Sequence, residues 1–230
     1  MNLNTQTYDG YGGVASAEQR NRVMRNTYWL LALSMLPTVL GAWVGVSTGI
    51  TAGLTGFMGL IVFLGGAFGF MFAIEKTKNS AAGVPVLLAF TFFMGLMLSR
   101  LLAQVLGFKN GSELIMTAFG GTAGIFLVMA SLSTVIKKDL SGMGKWLFIG
   151  AIGILIGGII NVFVGSPIGM AVLSVMAIIV FSGFLLYDLK RIVDGGETNY
   201  ISATLGLYLS VFNIFQSLLA LLGIFGGERD

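Results

Sequence analysis

The stretch Phe181–Leu222, FSGFLLYDLK RIVDGGETNY ISATLGLYLS VFNIFQSLLA LL, joins two apolar runs through a short charged turn. The first run begins upstream, at about Ile168, so each is about 20 residues long, enough to cross a ~30 Å hydrocarbon core as a helix. Nothing breaks the first helix before Gly195-Gly196, so it can extend to about Asp194. Asp188 then lies nearly two turns inside that helix, the acid nearest the interior of any predicted span. Such a carboxylate either serves a function or pairs with a neighbouring cation, Lys190 or Arg191, and both alternatives stay open. The second helix carries Gly206, Ser210, Asn213, Ser217 and Ala220 at steps of four, three, four and three, which keeps them on one face. Tyr208 and Gln216 add hydrogen-bonding groups beside that stripe. It reads either as a polar pathway past Ser210 and Asn213 or as helix–helix glue.

Composition extends this reading to the whole chain. Apolar residues make up 56% and charged residues 10%, against roughly 45–50% and 25% in soluble domains. The few charges are clustered, which leaves seven predicted spans: Tyr28–Val46, Thr51–Ile74, Ala82–Leu106, Leu114–Ile136, Trp146–Val164, Ile168–Leu189 and Tyr200–Phe225. The expected fold is an all-α membrane protein, a bundle of seven transmembrane helices in the lipid bilayer, over residues 25–230. Residues 1–24 are polar and read as a disordered cytoplasmic tail, a solvated leader or a handle for a partner. The first apolar run is too long for a cleaved signal peptide and is expected to be retained. Pro37 is a candidate kink within it.

Loop charges give an orientation. With the N-terminus inside, Arg20, Arg22, Arg25, Lys76, Lys78, Lys137, Lys138, Lys145, Lys190 and Arg191 all fall on the cytoplasmic side. Only Lys109 and Arg229 fall outside, with Arg100 inside the third span, so the C-terminus is expected outside. Arg100 reads as a snorkelling side chain or as a partner for a buried carboxylate or for helix-end carbonyls. Four spans carry a GxxxG pair, Gly41/Gly45, Gly65/Gly69, Gly120/Gly124 and Gly153/Gly157, expected to pack helices closely within the bundle. The pairs leave oligomeric state open.

Several classes of function are disfavoured. The chain has no Cys and no His, hence no thiolate or imidazole nucleophile, base or metal ligand, and no enzymatic activity or cofactor is expected. No phosphate-binding loop pattern occurs, the basic residues are too scattered for a nucleic-acid surface, and no inverted halves suggest a transporter.

The segments Gly183–Asp188 (GFLLYD), Gly195–Ile201 (GGETNYI) and Leu207–Phe215 (LYLSVFNIF), with Arg25–Tyr28 (RNTY), resemble the signature of the Bax inhibitor-1, or transmembrane Bax inhibitor motif, family. They are most similar to its bacterial YccA-like branch. The resemblance runs from about Arg20 to the C-terminus. It implies a seven-helix bundle of the bacterial inner membrane with the last helix at its centre. It also implies two functions. One is restraint of the membrane-bound quality-control protease FtsH, of which the protein is itself a substrate. The alternative is a pH-sensitive calcium leak channel closed by two aspartates. Asp188 matches the first aspartate, a candidate calcium contact, but Ser210 stands at the second position. A lone acid lacks the proton coupling of a carboxylate pair, which weakens the channel reading. The candidate gate and pathway residues are therefore Asp188, Ser210, Asn213, Tyr208 and Arg100.

Overall fold

A computed structural model describes residues 17–228. Its seven helices are α1 (Ala17–Thr48), α2 (Gly56–Thr77), α3 (Gly83–Leu106), α4 (Gly111–Val135), α5 (Met143–Val164), α6 (Pro167–Val193) and α7 (Tyr200–Gly226). All seven are long and apolar enough to cross a membrane, and no strand occurs among the described residues. The chain is a multipass, all-α membrane protein. Many large apolar side chains lie exposed on the bundle surface, Trp43, Phe72, Trp146 and Phe163 among them. In a bilayer these face acyl chains, where exposure of apolar surface is favourable.

Two elements extend differently from the sequence expectation. Helix α1 begins at Ala17, so residues 17–24 are helical rather than part of a disordered tail, and it runs unbroken through Pro37. Their pattern explains this: Val23 is buried against the bundle, and the Arg20 guanidinium donates to the Val193 carbonyl at the end of α6. The rest of the tail assigned to residues 1–24, residues 1–16, lies outside the described residues. Helix α2 begins at Gly56, because Gly49 and Gly56 adopt positive φ and the chain between them turns.

Helix α7 occupies the centre, touching α1, α2, α3, α4 and α6. Ile201, Leu207, Tyr208, Ile214 and Leu219 are almost fully buried along it. Both ends are tied down. At one, Asn199 Oδ1 accepts from the Ile201 and Ser202 amides at 2.9 and 3.1 Å, an N-cap that satisfies orphan donors. At the other, Asn110 Nδ2 donates to the Gly226 carbonyl at 2.7 Å. Among the described residues, helix α5, by contrast, buries no residue and touches only α6 and α2.

The close pairing of α1 with α3 rests on glycine. A Cβ on Gly41 would stand 2.1 Å from the Phe92 carbonyl oxygen, and one on Gly95 would stand 2.0 Å from the Thr38 carbonyl oxygen. A Cβ on Gly45 would meet Ser99 Oγ at 2.3 Å. Only glycine allows backbones this near, and dispersion then replaces the hydrophobic drive that lipid does not supply. The other predicted pairs differ. Gly65, Gly69, Gly120, Gly124 and Gly153 have no heavy atom within 4 Å of a Cβ position, and Gly157 meets only the Leu173 side chain. These helices lean on their neighbours through larger side chains, as where Phe93 of α3 fills the notch at Gly66.

Candidate functional site

Asp188 sits on the face of α6 that packs against α7, and its carboxylate lies directly over Gly206. A Cβ on Gly206 would be 2.8 Å from Asp188 Oδ2. The small residue at the head of the polar stripe is thus the space into which the acid fits. Helix α6 does run past Asp188, to Val193, as the absence of a breaker predicts.

The neighbouring cations are engaged elsewhere. Lys190 pairs with Asp194 one turn further along α6, and Arg191 pairs with Glu197 at 3.4 Å. Glu197 Oε1 also accepts from the Thr198 and Asn199 amides at 3.0 and 2.9 Å, which fixes the loop between α6 and α7. No described residue forms a hydrogen bond or a salt bridge with Asp188. Instead the carboxylate lines a cavity of about 270 Å³ together with Glu75 of α2, Arg191, Glu197, Ser202 and Leu209. Glu75 and Glu197 were not singled out from the sequence. Glu197 stands within the GGETN turn and Glu75 at a span end, positions where a charge ordinarily means only a solvated loop.

The structure separates the other candidates from this acid. Tyr208 lies two residues from Gly206, about 200° around the helix at 3.6 residues per turn. Its ring is buried among α1 and α3, edge-on to Phe90 and stacked on Phe212, with centroids 5.9 Å away in each case. Its hydroxyl bonds Thr38 Oγ1 at 2.9 Å and donates to the Thr91 carbonyl at 3.4 Å. Tyr208 therefore joins helices and does not face the cavity. Asn213 turns its amide onto the Leu209 carbonyl of its own helix at 2.8 Å. Ser210 is buried one turn beyond Gly206 on the same face, outside the cavity lining. Arg100 lies toward the opposite end of the bundle, where it donates to the Leu54 carbonyl in the α1–α2 turn. Among the described residues its partner is a single loop carbonyl, neither a carboxylate nor a helix-end carbonyl.

Chemically, the arrangement offers the Asp188 carboxylate, with Glu75 and Glu197 beside it, on the wall of a cavity with room for several waters, able to exchange a proton or attract a cation. No three Asp or Glu residues come together to hold an ion among the described residues, whereas Ca²⁺ takes about 6–8 oxygen ligands.

Comparison with known proteins bears on what the bundle is for. The pattern of the family described as "Inhibitor of apoptosis-promoting Bax1" matches residues 20–227. The chain is 38% identical over 210 residues to the "Modulator of FtsH protease YccA" of Escherichia coli K12, covering 91% of this chain and 92% of that one. The same identity and coverage hold for the "Inner membrane protein YccA" of E. coli O6:H1. An uncharacterised membrane protein of Vibrio cholerae is 35% identical over 222 residues, 96% of this chain and 98% of its own. With a family match over nearly its full length and relatives of this similarity, the chain belongs to the Bax inhibitor-1 family.

Proposed function

We propose that this protein is a regulator of an FtsH-type membrane protease in the bacterial inner membrane, restraining the protease while being engaged by it as a substrate. The observation that carries the proposal is the likeness, over nine-tenths of both chains, to a relative named for modulating that protease. The architecture supports it physically. The glycine-seated α1–α3 pair and the central, doubly anchored α7 make a bundle that resists being pulled apart, so a protease that grips it is occupied. The basic ends of α1, α2 and α6 lie together at one end of the bundle, which by the positive-inside rule is the cytoplasmic end. The N-terminus is then cytoplasmic and the C-terminus outside, and residues 2–16 are the segment offered to the protease. The expected result is that deleting residues 2–16, which leaves α1 intact, abolishes the effect of the protein on turnover of other membrane substrates of the protease. Undiminished restraint by the truncated protein, or failure of the full chain to co-purify with the protease, would overturn the reading.

A second reading, a cation leak past Asp188, is favoured by the cavity that this carboxylate lines. It predicts calcium flux into liposomes holding the purified protein, varying between about pH 6 and 8 because a carboxyl that loses and gains a proton switches the local charge. Asp188→Asn should remove that variation. Flux no greater than that of empty liposomes would eliminate the leak and leave the protease reading standing.

A further inference from the structure

A second and larger cavity, about 490 Å³, lies at the same basic end but on the other side of α7. Its walls come from the first turns of α1, the α2–α3 turn and the start of α7, with Arg22, Asn26, Lys78, Ser80, Thr198 and Tyr200 among its lining. The volume falls in the range of small-molecule sites, about 300–1,000 Å³. From this cavity we infer a binding site for a phosphate-bearing anion, independent of Asp188 and of the protease contact.

Three observations point to that chemistry. No carboxylate lines the cavity, while two cations do. Lys78 is shared with Glu75, its Nζ lying 2.5 Å from Glu75 Oε1, but Arg22 and Asn26 make no hydrogen bond or ion pair among the described residues. A guanidinium and an amide facing one space are matched by a phosphate, which accepts bidentate hydrogen bonds and carries the opposite charge. The walls are also fixed in place beforehand. Asn199 caps α7 with its oxygen while its Nδ2 donates to Asn79 Oδ1 at 2.8 Å and to the Lys78 carbonyl at 3.3 Å, which clamps the α2–α3 turn to α7. Finally, the site stands at the right depth. The apolar part of α1 begins near Tyr28, so Asn26 and Arg22 lie about 3–9 Å beyond the hydrocarbon at 1.5 Å per residue, level with or just outside the lipid headgroups.

The source of the phosphate is either an anionic lipid headgroup or a soluble phosphate compound, and one titration separates them. Thermal unfolding of the full chain in neutral detergent would be followed with added phosphatidylglycerol, phosphatidylcholine or inorganic phosphate, since a ligand bound by the folded state raises the midpoint. Phosphatidylglycerol is expected to raise it where phosphatidylcholine does not. Arg22→Ala is expected to weaken that response about tenfold, the loss typical of a charge-assisted contact. A response to inorganic phosphate that Arg22→Ala also weakens would assign a soluble ligand; a response to the lipid alone would assign a headgroup. Arg22 is exposed on α1, so the substitution leaves the core untouched, and Arg22→Gln provides a second variant that keeps the side chain's length. Lys137→Ala with Lys138→Ala, at the same end but outside the cavity, should respond as the unaltered chain does. No response to either phosphate compound, an unchanged response in both Arg22 variants, or an equal loss in the Lys137/Lys138 variant would overturn the site.

Discussion

Gly95→Ala is expected to lower the unfolding midpoint of the detergent-solubilised protein sharply, and Gly41→Ala to do the same, while Gly120→Ala and Gly65→Ala should not. All four changes add one methyl group to a helical glycine. At Gly95 and Gly41 the new carbon would stand 2.0 and 2.1 Å from backbone carbonyl oxygens of the opposing helix. A backbone atom cannot rotate aside as a side chain does, so α1 and α3 must separate and give up contacts along their length. Over-packing of this kind costs about 1–3 kcal/mol and sometimes more. Gly120 and Gly65 have open space at the same position, and alanine there recovers some of the helix propensity that glycine lacks. Thermal unfolding followed by size-exclusion chromatography distinguishes the two groups. Equal losses at Gly120 and Gly95 would mean that the glycines matter only through backbone flexibility.

Tyr208→Ala should destabilise the bundle by about 3–5 kcal/mol, the range for removing a large aromatic side chain from a core. Tyr208 is 1% exposed and fills the junction of α1, α3 and α7. Its ring touches Phe90 and Phe212, so the cavity left behind has rigid walls that close poorly. Tyr208→Phe keeps the ring and removes only the hydroxyl that bonds Thr38. Interhelical hydrogen bonds in membranes average about 0.6 kcal/mol by double-mutant cycles, so Tyr208→Phe should cost several-fold less than Tyr208→Ala. Equilibrium unfolding of the two variants measures the ratio. Similar losses would show that the hydroxyl network, and not ring packing, holds the three helices together.

Both sets of residues mark the reach of a linear reading. The GxxxG spacing is a local property and was legible at four spans, but the spacing does not say what stands opposite. Gly41/Gly45 and Gly65/Gly69 carry the same pattern, yet the first meets the backbone of α3 and the second meets nothing within 4 Å. Which face turns inward depends on partners far away in the chain. Tyr208 shows the same limit at shorter range. Its place beside the small-residue stripe suggested a pathway, whereas helical geometry turns it nearly opposite Gly206 and into the α1–α3 junction.

The charges illustrate the reverse case. The number of spans, the extension of α6 past Asp188 and the gathering of basic residues at one end were all legible, because the cost of placing a charge in hydrocarbon is set residue by residue. Whether a given charge is paired was not. Lys190 and Arg191 stood nearest to Asp188 in sequence, but Asp194 and Glu197 hold them. The α6–α7 loop decides this by folding Glu197 back onto Arg191, a contact whose geometry depends on the turn at Gly195, where φ is positive.

What the sequence determined by itself is the class of fold, the number of spans, the family and the presence of one acid deep in α6. Each follows from hydropathy or from local wording, and neither needs knowledge of neighbours. Tertiary structure alone decided that Asp188 lies against Gly206 and lines a cavity, that Arg100 serves the α1–α2 turn, and that Arg22 and Asn26 face a second cavity. The physical reason is common to all three. In lipid every span is apolar, so hydrophobicity places helices in the membrane without ranking their faces, and the choice of neighbours falls to shape and to the few polar groups left inside.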